Sequence, residues 1–211
     1  MTGRGRLIAF EGGEGAGKST QAQRLASGIG AELTREPGGS ELGERIRHLL
    51  LDPAGTAAVI DPRAELMLLL ASRAQHVAER IRPALESGRD VVVDRFSGST
   101  LAYQGYGRGL PLAAVKEACD LATGGLWPDL TILLEVPLTL GSARRAGAGW
   151  TPDRIEAEEA EFHRRVADGF LALAAADPQG WVVIDGTGAV DTVAHLVDEA
   201  LESRLGQGAT R

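Results

Sequence analysis

Lys18 is one of only two lysines among the 22 basic residues of this chain, the other being Lys116. It lies in Gly12-Gly13-Glu14-Gly15-Ala16-Gly17-Lys18-Ser19, which fits the pattern G-x-x-x-x-G-K-[ST]. In such a loop the glycines let successive backbone N–H groups converge on one concavity, and a helix starting near Gly17 adds the partial positive charge of its N-terminus. Lys18 then reaches the β and γ phosphates of a nucleoside triphosphate, Ser19 ligates Mg²⁺, and residues Gly12 to Thr20 together form the donor site.

Three arginine groups stand outside the loop. Asp94-Arg95-Phe96 follows Val91 to Val93, which puts an acid and an arginine at the carboxyl end of a strand, where open α/β sheets bind ligands. Asp94 there can hold Mg²⁺ or its waters, and Arg95 can grip a second phosphate bidentately or close a salt bridge at the strand end. Arg73 falls in the middle of the apolar stripe Leu66, Leu70, Val77, Ile81 and Leu85. Its guanidinium either meets a polar ligand atom such as a base carbonyl or snorkels to the surface. Arg144, Arg145 and Arg154 surround Gly147 and Gly149. They read as cations on a closable segment that neutralise charge on a transferring phosphoryl group, or as a solvated basic loop. Arg154 is the first choice for that catalytic role, because Asp153 and Glu156 form a capping-box pair that would fix it in the first turn of a helix.

The elements that must place these residues alternate. Apolar runs predict strands at Leu7 to Phe10, Glu32 to Thr34, Val91 to Val93, Leu130 to Val136 and Trp181 to Ile184. Helical periodicity predicts helices at Ser19 to Ala26, Glu41 to Leu51, Pro62 to Glu86, Leu112 to Ala122, Arg154 to Ala175 and Val190 to Leu205. Near-continuous apolar strands suit a parallel sheet covered on both faces, so the fold is α/β, doubly wound and five-stranded. The 211 residues form one domain through 205, with a mobile lid at about 141–153 and a flexible tail at 206–211.

Composition excludes several classes. A net charge of −7 argues against general binding to nucleic acid. Apolar runs such as Leu66 to Ala71 fall far below the roughly 18 residues of a membrane span, and the N-terminal apolar segment is too short for a signal peptide. The single cysteine, Cys119, fits a buried thiol in a reducing cytoplasm. The chain contains no asparagine, so it lacks the Asn-Lys-x-Asp guanine-reading box of switch GTPases. A small-molecule kinase leads, ahead of a nucleotide-dependent switch or binding protein.

From Leu7 to about Asp185 the chain resembles the thymidylate kinases of bacteria. The resemblance rests on Phe10-Glu11 leading into the glycine loop, Thr34-Arg35-Glu36-Pro37-Gly38-Gly39-Ser40, Ser72-Arg73-Ala74-Gln75-His76-Val77 and Asp94-Arg95-Phe96. Ala102-Tyr103-Gln104-Gly105, Gly107-Arg108-Gly109 and Asp153-Arg154-Ile155-Glu156 complete it. It implies a homodimer that uses ATP and Mg²⁺ to phosphorylate dTMP to dTDP. It also implies that Glu14 approaches the sugar 3′-hydroxyl, Arg95 the acceptor phosphate, Arg73 the thymine O4 and Thr100 the base edge. Tyr103 packs where a 2′-hydroxyl would clash, with Gln104 adjacent. Glu14 inside the loop and arginines in the lid place the chain with the lid-dependent subclass. One departure stands out: the family carries a stacking Phe four residues before the base-reading arginine, and this chain has Leu69.

Overall fold

A computed structural model describes residues 3–52, 59–147 and 153–206. Five parallel strands, β1 (Leu7–Glu11), β2 (Glu32–Arg35), β3 (Val91–Asp94), β4 (Leu130–Glu135) and β5 (Trp181–Asp185), form one sheet in the order β2-β3-β1-β4-β5. Helices flank it: α1 (Lys18–Ile29), α2 (Glu41–Leu51), α3 (Pro62–His76), α4 (Arg82–Glu86), α5 (Ser97–Thr100), α6 (Leu112–Thr123), α7 (Leu138–Gly147), α8 (Ala160–Ala176) and α9 (Val190–Leu205). The doubly wound five-stranded sheet expected from the sequence is the one observed.

Alternation along the inner strands assigns their side chains to two cores, as strand geometry requires. Ile8, Phe10, Val92, Ile132 and Leu134 face α1 and α9. Leu7, Ala9, Val91 and Val93 meet Val77, Ile81 and Leu85 on the opposite side. β1, β3 and most of β4 are buried, whereas the edge strands β2 and β5 are only partly covered.

The strand ends are flush where it matters. Phe10 pairs with Asp94 and Arg35 pairs with Asp94, so the chain leaves β1, β3 and β2 at one level. The glycine loop, Arg95 and Glu36 therefore emerge side by side at the carboxyl edge, which is where such sheets bind ligands.

Several regions differ from the sequence expectation. The helix expected over 62–86 changes pitch, with a π-helical turn at Val77–Ile81 between α3 and α4. The wider turn lies just before Pro83, which has no N–H to donate and would crowd a regular helix. Residues 141–147 of the expected lid belong to α7, a helix that the sequence pattern did not predict; 148–152 lie outside the described residues, as do 207–211 of the expected tail. Finally, the helix expected from Arg154 begins only at Ala160. Asp153 does cap Ile155 and Glu156 at 2.8 Å each, but the chain closes a single turn there before Glu159 extends. Side-chain tethers explain the interruption, since Arg154 is held by α3 and Glu158 by Arg108. Among the described residues no helix is long and apolar enough to cross a membrane.

The segment after β3 runs from α5 into a second π-helical stretch, Leu101–Gly107, which carries Tyr103 and Gln104. Phe162 and Phe170 of α8 meet the Tyr103 ring edge-on, each with centroids 6.1 Å away. Phe170→Ala is expected to cost about 3–5 kcal/mol of unfolding free energy. The loss should appear as a lower denaturant midpoint at unchanged slope.

Candidate active site

The glycine loop closes around Lys18, whose Nζ donates to the Gly13 carbonyl at 2.7 Å. Gly12, Gly15 and Gly17 all have positive φ, the last as the N-cap of α1. A Cβ on Gly15 would stand 2.3 Å from the Gly141 carbonyl oxygen, and one on Gly141 would stand 2.4 Å from that of Glu14. Only paired glycines permit this backbone contact, and it seats the start of α7 on the loop. Arg144, one turn on, donates to the carbonyls of Gly186 at 3.0 Å and Thr187 at 3.1 Å. Arg145 reaches Glu156 at 3.7 Å, but its Nε and Nη1 are buried without a hydrogen-bond partner. Both arginines line a cleft together with residues 14 to 21 of the loop and α1.

Ser19 Oγ donates to Asp94 Oδ2 at 2.5 Å, while Asp94 Oδ1 is buried and unpartnered. A hydroxyl and a spare carboxylate oxygen beside a phosphate loop suit Mg²⁺, which takes one or two protein oxygens and otherwise phosphate and water. Among the described residues no cluster of three or more His, Cys, Asp or Glu offers an all-protein metal cage.

A second cavity, of about 210 Å³, adjoins the loop at Glu14, Lys18 and Ser19. Arg95 stands at its mouth with φ +70, the one non-glycine with positive φ among the described residues. Such a conformation persists where its surroundings over-determine it. The backbone N–H of Arg95 donates to Phe10, its Nη1 to the Gly12 carbonyl and Ser99 Oγ at 3.1 Å each, and its Nη2 to Glu14. Tyr103 adds its hydroxyl to Glu14 at 2.9 Å and its ring face to Arg95, 5.2 Å from guanidinium to centroid. Burial by itself would raise the Glu14 carboxyl, but Arg95 and Lys18 beside it hold it down to about 2. Lys18 shifts downward, through burial first and then repulsion from Arg95. Burial also pushes the Tyr103 phenol well above its ordinary value.

Arg73 does point inward, and its partner is protein. Its Nε donates to Glu36 Oε2 at 2.7 Å, and its guanidinium lies 5.2 Å from the centroid of the buried Phe96 ring. Glu36 is itself braced by His76 Nδ1 at 3.0 Å, whose other nitrogen meets Thr34 Oγ1 at 2.7 Å. Arg73 nevertheless lines the cavity, together with Leu69, Thr100, Tyr103 and Gln104. Asp94, Arg95, Glu14, Lys18 and Ser19 are thus brought together as expected. Arg154 is not. Its Nη2 donates to Glu65 Oε2 at 2.5 Å and its Nε to the Leu50 carbonyl at 2.8 Å, so it lies outside the lining of the loop cleft.

A family profile described as thymidylate kinase matches residues 10–197. The chain belongs to the thymidylate kinase family. It is 52% identical over 196 residues to the thymidylate kinase of Thermomicrobium roseum, covering 90% of this chain and 91% of that one. To the thymidylate kinase of Deinococcus radiodurans it is 47% identical over 205 residues, covering 95% and 98%. The crystal structure of thymidylate kinase from Ehrlichia chaffeensis matches with a TM-score of 0.75 at 31% identity, over 94% of this chain and 99% of that chain.

Two further residues near the site were given no role by the sequence. Arg47 of α2 lines the cavity and donates to the Pro37 carbonyl at 2.9 Å, with its guanidinium pKa lowered by burial. Glu11, the last residue of β1, is fully buried and accepts from the backbone N–H groups of Phe96 and Ser99 at 2.9 Å each. Its position directly before the glycine loop was the available clue.

The depressed Glu14 carboxyl has a consequence for folding. Its folded value of about 2 lies below the ordinary 4.5, so its contribution to stability is complete above pH 4.5 and is lost as the pH falls toward 2. Glu14→Gln is therefore expected to be less stable than the parent at pH 6, with the gap narrowing between pH 4.5 and 3. Denaturant unfolding of both proteins across that range measures it.

Proposed function

We propose that this enzyme transfers the γ-phosphoryl group of ATP to dTMP, giving dTDP. The observation that carries the reading is a pair of cavities that adjoin one loop. The donor cleft and the acceptor cavity share Glu14, Lys18, Ser19 and Glu156. A switch that hydrolyses its nucleotide has no use for the second cavity.

ATP lies along the glycine loop with its phosphates on the backbone N–H groups of residues 12 to 17 and on Lys18. Mg²⁺ at Ser19 and Asp94 supplies charge neutralisation across the phosphates when bound. Arg95 holds the acceptor phosphate, taking it in place of part of its present bonding to Glu14. The ionised Glu14 is then released toward the 3′-hydroxyl of the sugar, and the Tyr103 ring occupies the space beside the deoxyribose. Arg73 donates to O4, with Thr100 and Gln104 along the base edge. The acceptor oxygen is already ionised, so no strong general base is needed, and positioning and charge neutralisation carry the rate.

The lid cation is assigned from bonding capacity. Arg154 is committed to a fully buried glutamate by a charge-assisted hydrogen bond, whereas Arg145 beside the loop makes a longer ion pair to Glu156 at 3.7 Å and no hydrogen bond from Nε or Nη1. Arg145 therefore meets the charge on the transferring group, with Arg144 beside it. The working form is a cytoplasmic homodimer, a reading supported by the family resemblance and by the single buried cysteine.

Coupled release of ADP, measured across dTMP, dUMP, dCMP and dGMP, tests the activity; no turnover with dTMP above the acceptor-free background rejects it. Arg145→Ala is expected to lower turnover by about 10³ with dTMP affinity held within a few fold. Arg154→Ala should lose less. The reverse order would return the role to Arg154.

Leu69 lines the acceptor cavity, and Phe96 lies beneath Arg73 rather than in its lining, so Tyr103 is the one aromatic there among the described residues. Leucine gives apolar contact without a flat π face, and a stacked aromatic is worth about 1–3 kcal/mol per base. Leu69→Phe is expected to lower the KM for dTMP several fold at nearly constant kcat, the pattern of added uniform binding. An unchanged or higher KM would show that the cavity has no room for the larger ring.

A further inference from the structure

Glu65 of α3 is fully buried, and three side chains converge on it. Gln104 Nε2 donates to its Oε1 at 2.9 Å. Arg108 donates to both oxygens at 3.1 and 3.0 Å, and Arg154 to Oε2 at 2.5 Å. Burial alone would raise the carboxyl pKa, but the hydrogen bonds from Arg108, Gln104 and Arg154 bring it below its ordinary value. An ionised carboxylate only accepts hydrogen bonds, so it dictates which end of the Gln104 amide it faces. The NH₂ group must point at Glu65. The carbonyl Oε1 is left buried, without a partner among the described residues, on a side chain that lines the acceptor cavity next to Arg73 and Thr100.

We propose that Glu65 is a positioning residue that sets base specificity: by holding the Gln104 amide in one orientation, it presents a hydrogen-bond acceptor to the pyrimidine ring. A ring that donates at N3, thymine or uracil, is paired. Cytosine, which accepts at N3, meets a second acceptor, and the unpaired polar atoms reject it. Glu65 does not itself line the cavity, so its effect passes through Gln104. This inference rests on the phosphorylation of dTMP proposed above.

Glu65→Gln supplies both a donor and an acceptor, which frees the Gln104 amide to turn over. The kcat/KM ratio of dTMP to dCMP is expected to fall by about tenfold or more, carried mainly by a lower KM for dCMP. The ratio of dTMP to dUMP should hold, because both bases donate at N3. Loosening of Arg108 or Arg154 would change all three acceptors together and cancel in both ratios. An unchanged dTMP to dCMP ratio, or a parallel fall for all three, overturns the proposal. If Glu65→Gln does not fold, Glu65→Asp is measured in its place with the same expectation, since it draws the carboxylate back from Gln104 while keeping the charge. A parent protein that does not use dTMP would refute the functional reading instead, and that result is read before any variant is made.

Discussion

Glu11 ends β1 one residue before the phosphate loop, and its fully buried carboxyl group accepts from the backbone of Phe96 and Ser99 and from the Ser99 hydroxyl. Burial raises its pKa, and those donors, with Arg95 nearby, pull it back. The contact joins the strand that carries the donor loop to the turn that carries Arg95. Nothing larger fits beside it: a Cβ on Gly98 would lie 2.8 Å from Glu11 Oε1 and 2.8 Å from the Trp181 ring. The glycine loop and Arg95, proposed above to hold the donor and acceptor phosphates, thus share one hydrogen-bonded joint. Such preorganisation is where a reaction with little covalent chemistry gains its rate.

The same device recurs twice on the acceptor side. Glu36 holds Arg73, and Glu65 holds Gln104, Arg108 and Arg154, each glutamate being almost wholly buried. A buried ion pair contributes little net stability, because desolvation offsets the attraction. Its value here is orientation. Arginine presents a rigid planar fork, so anchoring one edge aims the other, and most of the site's arginines are anchored in this way. An acidic protein can consequently bind two polyanionic nucleotides. The positive groups are few, tethered and convergent, while the surplus negative charge lies elsewhere or is spent inside these pairs.

The two π-helical stretches have different weight. The one before Pro83 relieves a local conflict between proline and helix. The one at Leu101–Gly107 widens the backbone at Tyr103 and Gln104, both of which line the acceptor cavity. Widened turns of this kind are frequent at functional sites. α8 fixes the rotation of that stretch by packing Phe162 and Phe170 on Tyr103.

The glycine loop was legible in the sequence because its function depends on consecutive backbone groups, and α2 and α9 matched their expected bounds because helical periodicity is a local property. The inner strands were legible as near-continuous apolar runs. α7 was not, since small residues give little periodic signal and its place depends on the Gly15 and Gly141 backbone contact. The sequence also put Arg73 on an inward stripe and Asp153 at a cap, both correctly, without revealing where either guanidinium nearby would end. Arg73 finds its carboxylate 37 residues away, Gln104 finds Glu65 across 39, and Arg154 reaches the same residue across 89. Pairings over such distances leave no trace in local spacing. Only the folded sheet, by bringing the ends of β2, β3 and β1 to one level, decides which acid each base meets.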